Sequence, residues 1–151
     1  MTSEPNAQRV KLIIDTNALV SGTLWSGPSS QVIDALEQGR ASLVLSADLL
    51  AEFADVVSRE RLSKRLAACN VTPARLVAQL ARIAEFVSPS PMSCPSTLRD
   101  PKDLIVLAAA VSGKVDAIVT GDEDLLTMES FEGIPILNAR MALERLGLGS
   151  T

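Results

Sequence analysis

Short apolar runs alternate with stretches of helical spacing along the chain. The strand-type runs are VKLIID (10–15), ASLVLS (41–46), DAIVT (116–120) and IPILN (134–138). Because these runs are apolar throughout rather than at every second position, they are typical of strands that are buried on both faces. Their alternation with helices therefore predicts an α/β fold in which helices cover both sides of a parallel sheet.

The stretches between these runs predict helices with defined ends. Ser46 and Pro73 are typical of helix starts, and Gly39 and Gly113 are typical of helix ends. GTLWSGP (22–28) and SPSPMSCPST (88–97) are expected to be loops. The predicted helices cover 29–38, 47–57, 58–68, 72–86, 101–113 and 139–147, and a further short helix begins at DLL (124–126).

Length and composition fit one domain of ordinary size. The chain has 151 residues, of which 47% are hydrophobic, so a full core is expected. We expect a single domain over 10–147, a flexible N-terminal tail over 1–9 and a C-terminal tail over 148–151. No apolar run reaches the ~18 residues of a membrane span, and no secretory core is present near the start. These features predict a cytoplasmic protein without a membrane partner, in which Cys69 and Cys94 are reduced.

The chain contains no histidine, and this limits its chemistry. Ser-His-Asp and Cys-His catalysis are excluded, and the commonest zinc ligand is missing. A metal site would have to use oxygen ligands, which favour Mg²⁺ or Mn²⁺. The net charge of −4 excludes a generally basic surface, so RNA binding would need a local patch.

Polar side chains follow two of the predicted strands. Asp15 and Asn17 come after the first strand, and Asp122 and Asp124 come after the third, where Thr120 adds a hydroxyl. Each group has an ordinary structural interpretation, as an Asx-type turn or as a helix cap. In open α/β sheets, however, ligands bind beyond the carboxyl ends of the strands, so a binding site is the alternative.

Further acids lie on two predicted helices. Glu52 is at the edge of the apolar stripe of helix 47–57, either as a surface glutamate beside the core or as an inward-pointing acid. Asp100 and Asp103 flank the start of helix 101–113, which is apolar on all sides and so is expected to be central. A capping arrangement explains these two aspartates, although a carboxylate on that first turn also lies close to the sheet.

Asp15, Glu52, Asp103 and Asp122 can converge on one edge of a parallel sheet. Four close carboxylates would repel each other and raise each other's pKa values. A divalent cation removes that repulsion, lowers the pKa of a bound water and stabilises charge on a phosphoryl oxygen. The acid set, in a chain without histidine, therefore predicts metal-dependent hydrolysis of a phosphodiester.

Four segments, in this order, resemble the PIN-domain family, in the branch described as toxin components of toxin–antitoxin systems. The segments are IIDTNALVSG (13–22), LSADLLAEFADVV (45–57), RDPKDLIVLAAA (99–110) and AIVTGDEDLL (117–126). The resemblance, which covers roughly residues 10–147, implies a three-layer α/β/α sandwich with a central, mostly parallel sheet. It also implies a ribonuclease that depends on Mg²⁺ or Mn²⁺, an RNA substrate, a cognate antitoxin and a homodimer.

Carried over residue by residue, the resemblance implies four catalytic metal ligands, two supporting side chains and two additional acids. The four ligands are Asp15, Glu52, Asp103 and Asp122. Asn17 would orient Asp15, and Thr120 would supply the hydroxyl before the last acid. The additional acids of this branch correspond to Asp100 and Asp124. The acidic set is complete, so the resemblance implies an active enzyme.

A basic stretch, SRERLSKRL (58–66), is the candidate for contact with RNA phosphates. A solvated helix face is the simpler interpretation of this stretch. Trp25 could stack on a base, whereas packing in the core or in an interface is more common for tryptophan. The residues that would contact RNA are Arg59, Arg61, Lys64 and Arg65.

Two other functions stay open from the sequence. A haloacid-dehalogenase-like phosphatase also begins with a strand that ends in Asp and uses a late acid pair, which Asp15, Asp122 and Asp124 could supply. That chemistry needs a second acid two residues after the nucleophile, where this chain has Asn17. The other alternative is a non-catalytic RNA- or protein-binding module, in which the acids bind a structural metal or a basic partner.

Overall fold

The fold is described by a computed structural model for residues 9–93 and 102–148. The strands are β1 Val10–Ile14, β2 Ala41–Leu45, β3 Ala84–Phe86, β4 Ala117–Val119, β5 Ser130–Phe131 and β6 Ile134–Leu137. They form one sheet in the order β3-β2-β1-β4-β6-β5, and only the β5–β6 pair among them is antiparallel. The predicted α/β fold with a central, mostly parallel sheet is therefore confirmed.

Eight α-helices within these described ranges complete the α/β/α sandwich. They are α1 Thr16–Leu24, α2 Pro28–Glu37, α3 Ala47–Val57, α4 Ser63–Ala68, α5 Pro73–Ile83, α6 Lys102–Gly113, α7 Glu123–Met128 and α8 Ala139–Arg145. A 3-10 turn, Glu60–Leu62, precedes α4. None of the helices described is long and apolar enough to cross a lipid bilayer.

Several helix ends agree with the sequence analysis. The Ser46 side chain caps α3, and the Thr72 hydroxyl caps α5 with Pro73 at its first position. Gly39 follows α2 with a φ of +77°, which only glycine adopts without strain. The starts of α3 and α5 and the end of α2 are therefore confirmed.

The core lies on both faces of the central strands. The consecutive residues Leu12 and Ile13 of β1 are both fully buried, although they point to opposite faces of the sheet. Burial of such a side chain stabilises the fold by about 1.5–3 kcal/mol. Helix α6 packs against β1 and β2 and buries Val106, Leu107 and Ala109, which explains why its sequence is apolar on all sides.

The loop expected over 22–28 is confirmed only for residues 25–27, because helix α1 extends to Leu24 and α2 begins at Pro28. No helix is predicted from the sequence directly after β1, where the structure has α1, so that part of the prediction is wrong.

Most of α1 is buried, including Leu19 and Val20, and it has no polar stripe that would mark a helix in the sequence. Gly22 permits the close packing of α1 on α2, because a Cβ there would lie 2.7 Å from Ile33 Cγ1. The helix matters for function because it begins directly after Asp15.

Two predicted helices are shorter than expected. The helix predicted over 72–86 ends at Ile83, and Ala84–Phe86 instead pair with β2 as the edge strand of the sheet. This strand exists because of a partner distant in sequence, so local spacing could not indicate it. The helix predicted over 58–68 is divided into the 3-10 turn and α4.

Some predictions fall on positions outside the described ranges. These are the predictions for Asp100 and Cys94, for the second half of the loop over 88–97 and for most of both tails. Cys69 is a half-buried free thiol. The division into one domain and two tails stays a prediction.

Candidate active site

Strands β1 and β4 lie side by side, and the chain continues from them toward opposite edges of the sheet. Ile14 and Val119, the last residues of the two strands, are register partners. Asp15 and Thr120 therefore follow their strands at the same level. Such a reversal of strand order is where open α/β sheets bind their ligands.

Asp15 lies at this point and is held by two hydrogen bonds. It is only 8% exposed, and its Oδ1 accepts a hydrogen bond of 2.9 Å from the Ala18 N–H as the N-cap of α1. Its Oδ2 accepts a hydrogen bond from the Thr120 hydroxyl. The predicted turn is thus a helix cap, and the cap also fixes the carboxylate at the end of the sheet.

The surroundings of Asp15 oppose its negative charge. Burial raises the pKa of the Asp15 carboxyl above its ordinary value of 3.8. The hydrogen bonds from Thr120 and Ala18 act against this increase, whereas the negative charges of Asp122 and Glu52 add to it. A nearby positive charge would therefore favour the ionised form of Asp15.

Asp122 follows β4 and is joined to Asp15 through Thr120. The Asp122 N–H donates to the Thr120 hydroxyl oxygen at 3.0 Å. The Asp122 side chain also caps α7, because its Oδ1 accepts a 2.8 Å hydrogen bond from the Asp124 N–H. Asp124 itself is exposed on the first turn of α7, so the cap predicted here is present.

Glu52 reaches the same region from α3 and is half-buried. The Thr16 hydroxyl donates a hydrogen bond of 2.9 Å to Glu52 Oε1, and Thr16 is only 6% exposed. Thr16 was not identified from the sequence. Its hydroxyl faces Glu52 only because Thr16 is the first residue of α1, a helix that the sequence did not predict. Thr16 and Thr120 thus each hold one carboxylate of this region.

Asp103 lies on the first turn of α6, and its Oδ2 atom is buried. The four acids predicted as ligands line one cleft of about 280 Å³ at the carboxyl ends of β1 and β4. Val56 and Val106 form apolar parts of its wall. The residues that line this acidic cleft are Asp15, Thr16, Asn17, Glu52, Val56, Arg59, Arg61, Asp103, Val106 and Asp122.

The sequence matches a family model described as "PIN domain" over residues 11–124, well over half of the chain. The chain belongs to the PIN-domain family. PIN domains have a nuclease-type fold and commonly act as metal-dependent ribonucleases, and they generally bind nucleic acid. A comparison with curated proteins gives no significant match.

PIN domains generally use divalent metal ions, and the acidic cleft has a suitable donor set. All four acids offer carboxylate oxygens, the ligands that Mg²⁺ and Mn²⁺ prefer. Within the described ranges, no three carboxylate or thiol side chains are gathered into a ready-made metal-binding group. The residues therefore fit a hard divalent cation in their chemistry and in lining one cleft, and binding would require their side chains to move closer together.

The four basic residues of the predicted stretch are in different environments in this PIN domain. Arg59 and Arg61 line the acidic cleft, and Arg59 also donates to Asp55 Oδ2 at 2.9 Å. Arg65 instead donates to the Leu24 carbonyl at 2.7 Å. Its guanidinium lies 5.0 Å from the centre of the half-exposed Trp25 ring, while Lys64 is exposed away from the cleft lining.

Thr16→Val should weaken Mn²⁺ binding by about 10–100-fold, because it removes the hydroxyl that orients Glu52. Thr16→Ser keeps this donor and should bind Mn²⁺ nearly as tightly as the wild type. Isothermal titration calorimetry measures the difference without any cleavage assay. Equal affinities for the valine and serine variants would show that Thr16 only packs in the core.

The raised pKa of Asp15 predicts a pH dependence of stability in protein kept in EDTA. Its native state holds the Asp15 proton more tightly than the unfolded state does. This stabilisation is complete below about pH 3.8 and is lost as the pH rises through the higher native pKa. The free energy of unfolding of the wild type, minus that of Asp15→Asn, should therefore fall over this window in urea titrations. A constant difference would contradict the assignment.

Proposed function

We propose that this PIN domain is a divalent-metal-dependent endoribonuclease that hydrolyses phosphodiester bonds in single-stranded or structured RNA. One observation carries the proposal: four acids from four separate segments line one cleft together with two arginines. The cleft lies at the point where the strand order of a parallel sheet reverses. Family membership supports a nuclease rather than a phosphatase or a binding module.

The cofactor would be Mg²⁺ or Mn²⁺, and Asp15, Glu52, Asp103 and Asp122 would hold it. When bound, such a cation supplies electrophilic stabilisation of phosphoryl oxygens and a water of lowered pKa. The threonine hydroxyls fix the first two carboxylates, and such outer partners are worth 10–100-fold in metal affinity or activity. Asn17 is exposed on the lining of the cleft and makes no hydrogen bond to Asp15, so its proposed role changes from orienting Asp15 to contacting the substrate.

Arg59 and Arg61 would bind the phosphates of the RNA backbone. They are the cationic side chains on the described lining of the acidic cleft, so they can offset the repulsion between RNA and the acids. Trp25 and Arg65 already contact each other and need not contact RNA. The proposal therefore keeps two of the four basic residues as phosphate contacts.

Arg61→Ala should weaken RNA binding and reduce the slope of log affinity against log salt by about 0.7, the value for one phosphate contact with a single strand. The measurement is fluorescence anisotropy of a labelled RNA with the Asp15→Asn protein, which would bind RNA without cleaving it. Arg82→Ala, on α5 and away from the cleft, is the control. An unchanged slope for Arg61→Ala would remove this residue from the interface.

The two alternative functions predict different reaction intermediates and different effects of substitutions. A dehalogenase-like phosphatase would form a phospho-aspartate on Asp15, yet Asn17 stands where that chemistry needs a second acid. A non-catalytic binding module would work equally well with Asp103→Asn. In the proposed enzyme, Asp103→Asn loses cleavage.

We further propose that the enzyme is the toxin of a toxin–antitoxin pair and forms a homodimer. The support is the resemblance of four segments to that branch of the family. Expression of the wild type in a bacterial host should then arrest growth, and expression of Asp15→Asn should not. Normal growth with a confirmed supply of active wild-type enzyme would rule out the toxin role but not the ribonuclease activity.

The decisive test of the proposed activity is cleavage of a panel of RNAs with Mg²⁺ or Mn²⁺ and with EDTA. The wild type should cleave at least part of the panel only with the metal. Cleavage that persists in EDTA would overturn the proposal.

A further inference from the structure

A second groove adjoins the acidic cleft on the side of α8. It has a volume of about 290 Å³ and shares the lining residues Asn17 and Asp122 with the cleft, so the two spaces are direct neighbours. Helix α1 contributes Ala18 and Ser21 to one wall, and Gly121 and Asn138 lie on another. We call this space the α1–α8 groove.

The α1–α8 groove is uncharged except at its border with the cleft. No lysine or arginine is among the described residues that line it, and Asp122, which it shares with the cleft, is the charged residue among them. These features oppose the binding of a phosphate group. The groove is thus chemically different from the acidic cleft, where Arg59 and Arg61 accompany the acids.

The groove presents polar groups suited to an uncharged, hydrogen-bonding ligand. The side chains of Asn17, Ser21 and Ser29 make no hydrogen bond to any described residue, although all three lie on its surface. Asn138 uses its Oδ1 to cap α8 through the Met141 N–H, which leaves its amide N–H₂ group directed elsewhere. Amides and hydroxyls of this kind pair with base edges and ribose hydroxyls.

We propose that the α1–α8 groove binds the nucleoside next to the scissile phosphate, an inference that rests on the proposed nuclease function. A phosphodiester held in the acidic cleft has a nucleoside on each side, and one of them extends across Asn17 and Asp122 into the groove. The groove binds the base and ribose, while the acids and arginines of the cleft bind the cation and the phosphate. Sequence preference of the enzyme therefore arises in part from this groove.

Gly121 offers a direct way to block the groove. Its backbone is outside the left-handed region, and a Cβ built there meets no atom within 4 Å. A side chain at this position therefore begins in open space without backbone strain, and Gly121→Leu adds bulk at a residue that lines the groove. Ser21 is exposed on α1 and allows the same test from the opposite wall.

The experiment compares two substrates, a single-stranded RNA and bis(4-nitrophenyl) phosphate, a phosphodiester that carries no nucleoside. The measured quantity is the ratio of the two kcat/KM values. Gly121→Leu and Ser21→Leu should each lower this ratio roughly tenfold, the effect of losing about one base contact. The matched controls Gly121→Ala and Ser21→Ala should lower this ratio much less than the leucine variants, because they leave the groove open and Ser21→Ala removes only one hydroxyl.

The outcomes separate this inference from the proposed function. If the wild type hydrolyses neither bis(4-nitrophenyl) phosphate nor any RNA of the panel, the nuclease proposal is wrong and the groove inference is overturned with it. If both substrates are hydrolysed and the ratio is the same in the leucine and alanine variants, only the groove inference is overturned. If one leucine variant does not fold, the pair on the opposite wall gives the answer.

Discussion

Asp15→Asn should reduce RNA cleavage by about 10²–10³-fold, the effect of removing one electrostatic group from an active site. The same variant should be at least as stable as the wild type at neutral pH in EDTA. Asparagine is as good an N-cap as aspartate, so it can still accept the Ala18 N–H and start α1. It also removes a buried charge that Asp122 and Glu52 repel.

The combination of lost activity and retained stability is the informative result. Single-turnover cleavage of a labelled RNA gives the rate, and urea unfolding gives the free energy. Asp34→Asn is a matched control, because Asp34 is exposed on α2 and lies outside the acidic cleft. If Asp15→Asn is inactive because it is unfolded, Asp15→Ser separates the two roles of Asp15, as a ligand in the cleft and as the N-cap of α1. Serine keeps a capping oxygen but has no carboxylate. Full activity of a folded Asp15→Asn would end the assignment of Asp15 as a catalytic metal ligand.

Addition of Mn²⁺ or Mg²⁺ should stabilise the wild-type protein and restore cleavage after EDTA treatment. A cation that binds only the native state adds about 2.7 kcal/mol at a concentration of one hundred times its Kd. For a chain of this size, that free energy corresponds to a rise in Tm of roughly 5–10 °C. The physical reason is that burial, together with the negative charges of Asp122 and Glu52, now raises the pKa of Asp15, and a cation would offset both effects on the ionised carboxylate.

The variants make this second prediction specific. Asp122→Asn removes a carboxylate of the cleft and should lose most of the rise in Tm, because fewer charged ligands remain. Asp34→Asn removes an acid outside the cleft and should show the full rise in Tm. Non-specific binding of the ion to surface acids would instead change the rise equally in both variants. Differential scanning fluorimetry across a metal titration measures both. An equal rise in all three proteins would place the ion outside the cleft.

The sequence predicts the part of this structure that depends on apolar runs and local end signals. The four strands predicted from the sequence begin and end within one residue of their predicted bounds, because apolar runs such as VKLII are typical of strands buried on both faces. Ser46 and Gly39 mark helix ends through interactions within a few residues. Elements of this kind need no knowledge of the rest of the chain.

The remainder depends on contacts that the local pattern does not contain. Helix α1 is buried nearly all round and lacks a polar face, and β3 forms only because β2 is beside it. The same limit applies to the site. The sequence indicates candidate acids after strands, at a helix start and at the edge of one apolar helix stripe. The Thr16–Glu52 hydrogen bond and the different surroundings of Arg61 and Arg65 depend on tertiary packing, which the local sequence does not show. Whether the selected acids bind metal stays a prediction.

The strand order also has a consequence for the synthesis of the protein. β1 is made first among the strands, but its neighbour β4 and the carboxylate of Asp122 come more than one hundred residues later. A ribosome adding about 5–20 residues per second needs roughly 5–20 s for that interval. Throughout this time the nascent chain carries Asp15 without its opposing wall. The acidic cleft is therefore assembled only late in synthesis, after β4 and Asp122 have been made.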